Sequence, residues 1–484
     1  MKKIEDSPLF GDAHTSVVQG VFWIISQRGK SWGKALWEIN ITKGSIFDTS
    51  RAIWALCSAF PLLPLQLNGG GKYKDYALED IKKLMVEEVL WLISLGNSDP
   101  HFSSSRGTKY WVSSDINNIE VVRTTNAVLL TLLELRELIR FEAEKNESFG
   151  GISVTDLDAE VTSTINQAVS WIKFCQVRTS DVITIREGDL DYSAIYTKGS
   201  WPNIPRHIFY GLKNNLHRGA YAEAVERNTG YKAEVLVNHL DEICHLSHLQ
   251  ATSDSIISLG LHGTGENEVS DALEYLALEQ KSSGVWDSIV CSNLFIVLGM
   301  LIGIQRLDIN LQDIGLDGEH LLFEPVKEIE SGEKTQWIRF NEKESIDICI
   351  LTSLIFCKKY LGEKPEKVLE IYLSKIKQVG GRDATGIVRW WPASKLEDDA
   401  VVSKTAWAIS SISSLLQEEV LREYENQVDD ARSRDGGKNI STEMSMPGIN
   451  IGLSGPTLNI VEWAKYLHSK LTNASSGRAK SARR

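Results

Sequence analysis

The acidic pair Asp189 and Asp191 and the run Glu397-Asp398-Asp399 are the residues of this chain best suited to proton chemistry. Two carboxyl groups two positions apart in an extended loop can face one side, and coupled carboxylates can hold one proton between them. Tyr192 and Trp201 would wall a site built on Asp191, and Trp390 and Trp391 are further candidates for ligand contact. The competing readings are a solvated acidic loop at 189–191 and an acidic run favouring a helix dipole at 397–399.

Metal chemistry has two starting points. Asp347-Ile348-Cys349 places a carboxylate and a thiol two apart, and Asp241, His245 and His248 lie at i, i+4 and i+7, on one helical face. Cys244 forms a second i, i+4 pair with His248, and His239 precedes the group. A capping Asp with a buried thiol accounts for the first, and a packing face for the second. No Gly-rich phosphate loop, Gly-x-Ser-x-Gly elbow or His-Glu-x-x-His is present. The sequence reading therefore carries no metal and no cofactor.

These residues must be positioned by a recurring element. Gln280-Lys281-Ser282-Ser283-Gly284-Val285-Trp286 leads into the apolar run Cys291 to Leu301. Related text appears at Gln27 to Gly33 before Phe47-Asp48-Thr49, at Trp111 before Arg123-Thr124-Thr125, and at Trp390-Trp391 before Lys404-Thr405-Ala406. Gly permits a turn, Trp covers the end of the neighbouring helix, and Ser or Thr caps the next helix. Trp markers at 32, 111, 201, 286 and 390 are 79, 90, 85 and 104 residues apart, so the unit is a helical hairpin at variable spacing. One hairpin cannot bury its own apolar face, which predicts stacked or ring-closed hairpins.

Gln-xxx-Gly-x-Trp followed by a Ser/Thr- and Ala-containing helix start resembles the repeat of the terpene cyclase and protein prenyltransferase superfamily. Ser45-Ile46-Phe47-Asp48-Thr49 also resembles an element near the start of class II diterpene cyclases. The resemblance spans roughly residues 20 to 420 and implies an all-α fold, an α/α toroid. It implies catalysis only where the family's chemical groups are kept. The cyclase pattern Asp-x-Asp-Asp before Thr-Ala is not: Asp48, Arg123 and Lys404 precede the aligned Thr, and Ser45 and Phe47 stand where further acids would. The prenyltransferase zinc site would need a His at the position of Lys404, and a protonated Lys has no lone pair to offer.

Composition limits the remaining classes. A net charge of −12, from 52 basic and 64 acidic residues, argues against an extended nucleic-acid surface. No apolar run approaches the ~18 to 20 residues of a membrane span, and a cytoplasmic location is expected. Six scattered cysteines read as buried thiols without a disulfide framework. Residues 1–422 are expected to form the toroid, with 1–15 as an arm, 423–450 as a flexible linker and 451–484 as a helix with a basic tail. Residues 178–205 read as a long irregular stretch, and 307–335 as a loop or short strand pair. The 14 Trp, 13 Tyr and 13 Phe suffice to line a cavity, although aromatics at helical spacing also build ordinary core. The leading expectation is a binding or scaffold module for a partner protein or an apolar, isoprenoid-like molecule. The second is a divergent cyclase or prenyl-diphosphate-processing enzyme using displaced acids.

Overall fold

The computed structural model describes residues 8–34, 46–63, 78–99, 107–115, 118–143, 146–187, 190–208, 223, 226–227, 248–282, 284, 286, 290–326, 353–357, 369–370, 392–394, 397–400, 402–403 and 405–417. The protein is predominantly helical. The long helices are α1 (Pro8–Ser26), α2 (Ile46–Ala59), α3 (Leu78–Leu95), α4 (Val122–Ala143), α5 (Val154–Cys175), α6 (His248–His262), α7 (Glu266–Glu279), α8 (Val290–Leu307) and α9 (405–417).

Burial sorts them into two kinds. In α2, 12 of 14 residues are buried, whereas α7 buries only Val269, Ala272, Leu273, Tyr275 and Leu276. A helix apolar on every side must be enclosed, and one with a single apolar stripe lies against a core. α2, α4, α6, α8 and α9 are the enclosed set, and each of the first four follows a Gly- and Trp-containing loop. They pack on one another in sequence, α2 on α4, α4 on α6 and α6 on α8. The last of these contacts is close: a Cβ on Gly260 would lie 3.2 Å from the Gly303 Cα, and one on Gly299 would collide with Ser253.

α9 meets both ends of this series. Trp407 lies 5.4 Å from the Phe295 ring of α8 and 5.3 Å from the Trp54 ring of α2. Gln417 Nε2 donates to the Ser58 carbonyl, 2.8 Å away and 359 residues distant along the chain.

The irregular reading of 178–205 is corrected. Strands β5 (Asp181–Glu187) and β6 (Leu190–Tyr196) form an antiparallel hairpin in unbroken register from Asp181↔Tyr196 to Glu187↔Leu190. Its β-branched residues Val182, Ile183, Thr184 and Ile185 favour that outcome. Among the described residues three further two-stranded pairs occur, β1 (Ser113–Asp115) with β2 (Asn118–Glu120), β3 (Ser148–Phe149) with β4 (Ile152–Ser153), and β7 (Pro392–Ser394) with β8 (Glu397–Ala400). The proposed arm is also shorter, because α1 begins at Pro8. Residues 308–317 are turns and irregular chain and 318–326 are helical, so no strand pair forms there. The linker, the C-terminal helix and the basic tail lie outside the described residues, as does most of the stretch 209–247.

Candidate functional site

The loop before each of α2, α4, α6 and α8 is a clasp with two ends. Trp32 Nε1 donates to the Ile24 carbonyl at 2.8 Å, Trp111 Nε1 to Leu92 at 2.7 Å, Trp201 Nε1 to Ile172 at 2.7 Å and Trp286 Nε1 to Leu276 at 2.5 Å. Each acceptor lies among the last four residues of α1, α3, α5 or α7, whose carbonyls have no partner within the helix. Indole suits this place because it joins a donor-only N–H to a large apolar face.

The second end points forward. Gly33 N–H donates to Thr49 Oγ1, Trp111 N–H to Thr125 Oγ1, Trp201 N–H to Thr252 Oγ1 and Trp286 N–H to Asn293 Oδ1, at 2.8 to 3.0 Å. These acceptors are the fourth residue of α2, α4 and α8 and the fifth of α6. Gln280 Nε2 bonds the Gly284 carbonyl at 2.9 Å and so braces the most complete copy of the loop.

The clasp resets the alignment read from sequence. Thr125, not Thr124, answers to Thr49, so the residue before it is Thr124 and Arg123 stands one place further back. With Thr49, Thr125, Thr252, Asn293 and Thr405 in register, the position two residues later holds Arg51, Ala127, Asp254, Phe295 and Trp407. Four of these five form one cluster. Arg51 Nη2 lies 3.8 Å from Asp254 Oδ1, and Arg123 Nε lies 3.3 Å from Asp254 Oδ2. The Arg51 guanidinium sits 5.2, 5.3 and 5.5 Å from the Phe47, Trp54 and Trp407 ring centres, and Arg123 lies 5.9 Å from Phe47. Asp254 is 1% exposed and Arg51 6%, so this charge network is desolvated and walled by aromatic faces. A carboxylate held by two guanidiniums is a poor proton donor.

Those residues singled out from sequence that the structure describes do not gather here. Asp191 and Tyr192 are strand residues of β6, opposite Arg186 and Ile185 in the register. Asp398 and Asp399 lie in β8, paired with β7. Trp201 is fully buried with its indole N–H committed to the clasp, which is a structural task. Asp189, Trp390, Trp391, His239, Asp241, Cys244, His245, Asp347 and Cys349 lie outside the described residues; His248 opens α6, its ring 5.9 Å from Tyr196. Among the described residues, no three His, Cys, Asp or Glu side chains converge as a metal site. Cys57, Cys175 and Cys357 are buried thiols, pushed upward in pKa by burial.

Sequence reasoning missed Arg51, Asp254 and Trp407, although a signal existed. Arg51 and Asp254 are charges two places beyond a clasp Thr, in helices whose other Asp, Glu, Lys or Arg residues number one, Asp48 of α2.

Two other polar groups are built differently. Asp99 Oδ2 accepts the Trp171 indole N–H at 2.8 Å and lies 2.8 Å from His207 Nε2, tying the loop after α3 to the segment after β6. Burial, then the Asp99 charge, raises the Tyr110 hydroxyl beyond its ordinary range. A surface cavity of about 400 Å³ is lined by Arg28, Lys34, Glu87, Leu90, Trp91 and Ser94. Its Arg28 is held by Glu87 at 2.9 Å and by Glu88 at 2.7 Å.

No protein-family model, no curated protein and no solved structure matches the chain.

Proposed function

We propose that this chain is an α/α toroid of the terpene cyclase and protein prenyltransferase kind that binds without turning over its ligand. Support for the ring comes from α9, which contacts both α8 and α2 and so links the last hairpin to the first. The ligand class follows from the centre, where two guanidiniums share one carboxylate among Phe47, Trp54, Phe295 and Trp407. Such a place suits an apolar molecule with an anionic head, an isoprenoid diphosphate being the model compound. The head would meet the arginines and the chain the rings.

One observation carries the non-catalytic side of the reading: Asp254, the acid at the centre, is engaged by Arg51 and Arg123. A cyclase would need that acid protonated and aimed at an alkene.

The test is equilibrium titration of tryptophan fluorescence with geranylgeranyl diphosphate and with geranylgeraniol. Arg123→Gln is the informative variant, because this side chain is 23% exposed and its loss should leave the fold intact. The expected result is saturable binding of the diphosphate, weakened about tenfold or more in the variant, and weak binding of the alcohol. Equal binding of diphosphate by both proteins, or none by wild type, would overturn the assignment.

A further inference from the structure

We infer that the contact between α2 and α9 is a gate to the central cluster, a regulatory feature that rests on the ligand-binding reading above. The Arg123 side chain is 23% exposed, but Asp254, Trp54, Arg51 and Trp407 behind it are 1, 1, 6 and 7% exposed, so a ligand reaches these four only after something moves. Arg51 and Trp54 belong to α2 and Trp407 to α9, which places the cluster directly behind this one contact.

The connectivity selects the same place. α2, α4, α6 and α8 succeed one another along the chain, and each step between them passes through an outer helix, α3, α5 or α7, that a clasp ties to the next enclosed helix. Separating any of those neighbours strains a loop or breaks a clasp. Ser58 of α2 and Gln417 of α9 are 359 residues apart, and the two helices meet through the Gln417 to Ser58 carbonyl bond, the Trp54 and Trp407 rings and the Arg51 guanidinium over Trp407. Parting them stretches no short connection. Local opening follows the route of least constraint, so this seam opens before the others.

The seam carries small polar side chains that make the opening measurable. Ser410 shares a helical face with Trp407 and Gln417, three residues before it and seven after, and Ser58 is the residue whose carbonyl Gln417 reaches. Both are fully buried. Ser255, equally buried, lies at the contact of α6 with α4, where it receives the Asn126 Nδ2 bond at 3.0 Å. It is the control.

The experiment is native-state labelling of Ser410→Cys, Ser58→Cys and Ser255→Cys with a thiol reagent, each read against wild type. It is run without ligand, so its result is independent of whether isoprenoid diphosphates bind. Two seam variants on opposite helices guard against one of them failing to fold. The expected outcome is that Ser410→Cys and Ser58→Cys label at least about tenfold faster than Ser255→Cys, at rates that low urea does not change in step with global unfolding. Labelling of all three variants at one common rate would overturn the gate, as would faster labelling of Ser255→Cys.

Discussion

Asp254 stands between Arg51 and Arg123, so its charge sets the stability of the cluster. Asp254→Asn removes the counter-charge facing the desolvated Arg51 and is expected to lower unfolding free energy by about 3 to 5 kcal/mol in urea titration. Arg123→Gln, at a part-exposed side chain, should cost less than about 1 kcal/mol. A reversed order would show that the cluster is not electrostatically organised as described. Histidines give a second residue-scale expectation. His14, held near the Leu62 carbonyl at 3.0 Å, has its pKa lowered by burial, and His262 is lowered to about 4 by burial and by the Arg136 and Lys173 charges. Both are therefore harder to protonate folded than unfolded, where the value is about 6.5. Their contribution is intact above pH 6.5 and is lost as pH falls, for His262 down to about pH 4. Melting temperature should drop between pH 7 and pH 4.5, with a shallower drop in His262→Gln; an unchanged slope in that variant would refute the assignment.

The Trp and Thr clasp carries the fold at the scale of elements. Trp201→Phe keeps an aromatic ring but removes the donor from the Ile172 carbonyl, and about 1 to 3 kcal/mol should be lost. Trp286→Ala removes both ring and donor and should cost about 3 to 5 kcal/mol. Equal unfolding midpoints for Trp286→Ala and wild type would rule out the clasp as a structural unit. Part of this was legible in sequence: the Trp markers and the Ser or Thr at the start of the next helix emerge from their spacing. The register at Thr124 and Thr125 was not, because adjacent threonines look alike until a backbone N–H chooses one. The β5–β6 hairpin was obscured by Glu187 to Asp191, whose acidic and Gly-containing text resembles a loop although Glu187, Leu190 and Asp191 are paired strand residues. The candidate site was the least legible part. Arg51 and Asp254 are 203 residues apart by their numbers, and neither sits in a motif.

For the molecule as a whole, the contacts of α9 with both α2 and α8 tie the last described helix to the first unit and to its predecessor. Unfolding should accordingly be a single cooperative transition followed by far-ultraviolet circular dichroism and by tryptophan fluorescence together. Two separated transitions would instead mean independent halves. Among the described residues, no helix is long and apolar enough to cross a membrane. Binding without chemistry at the cluster of Arg51, Arg123 and Asp254 can be checked by product analysis. Purified protein is incubated at length with geranylgeranyl diphosphate and with shorter and longer homologues, with and without magnesium. Wild type should return each substrate unchanged. A cyclised or transferred product that disappears in Asp254→Asn, Asp191→Asn or Asp399→Asn would refute binding without turnover and make the chain an enzyme.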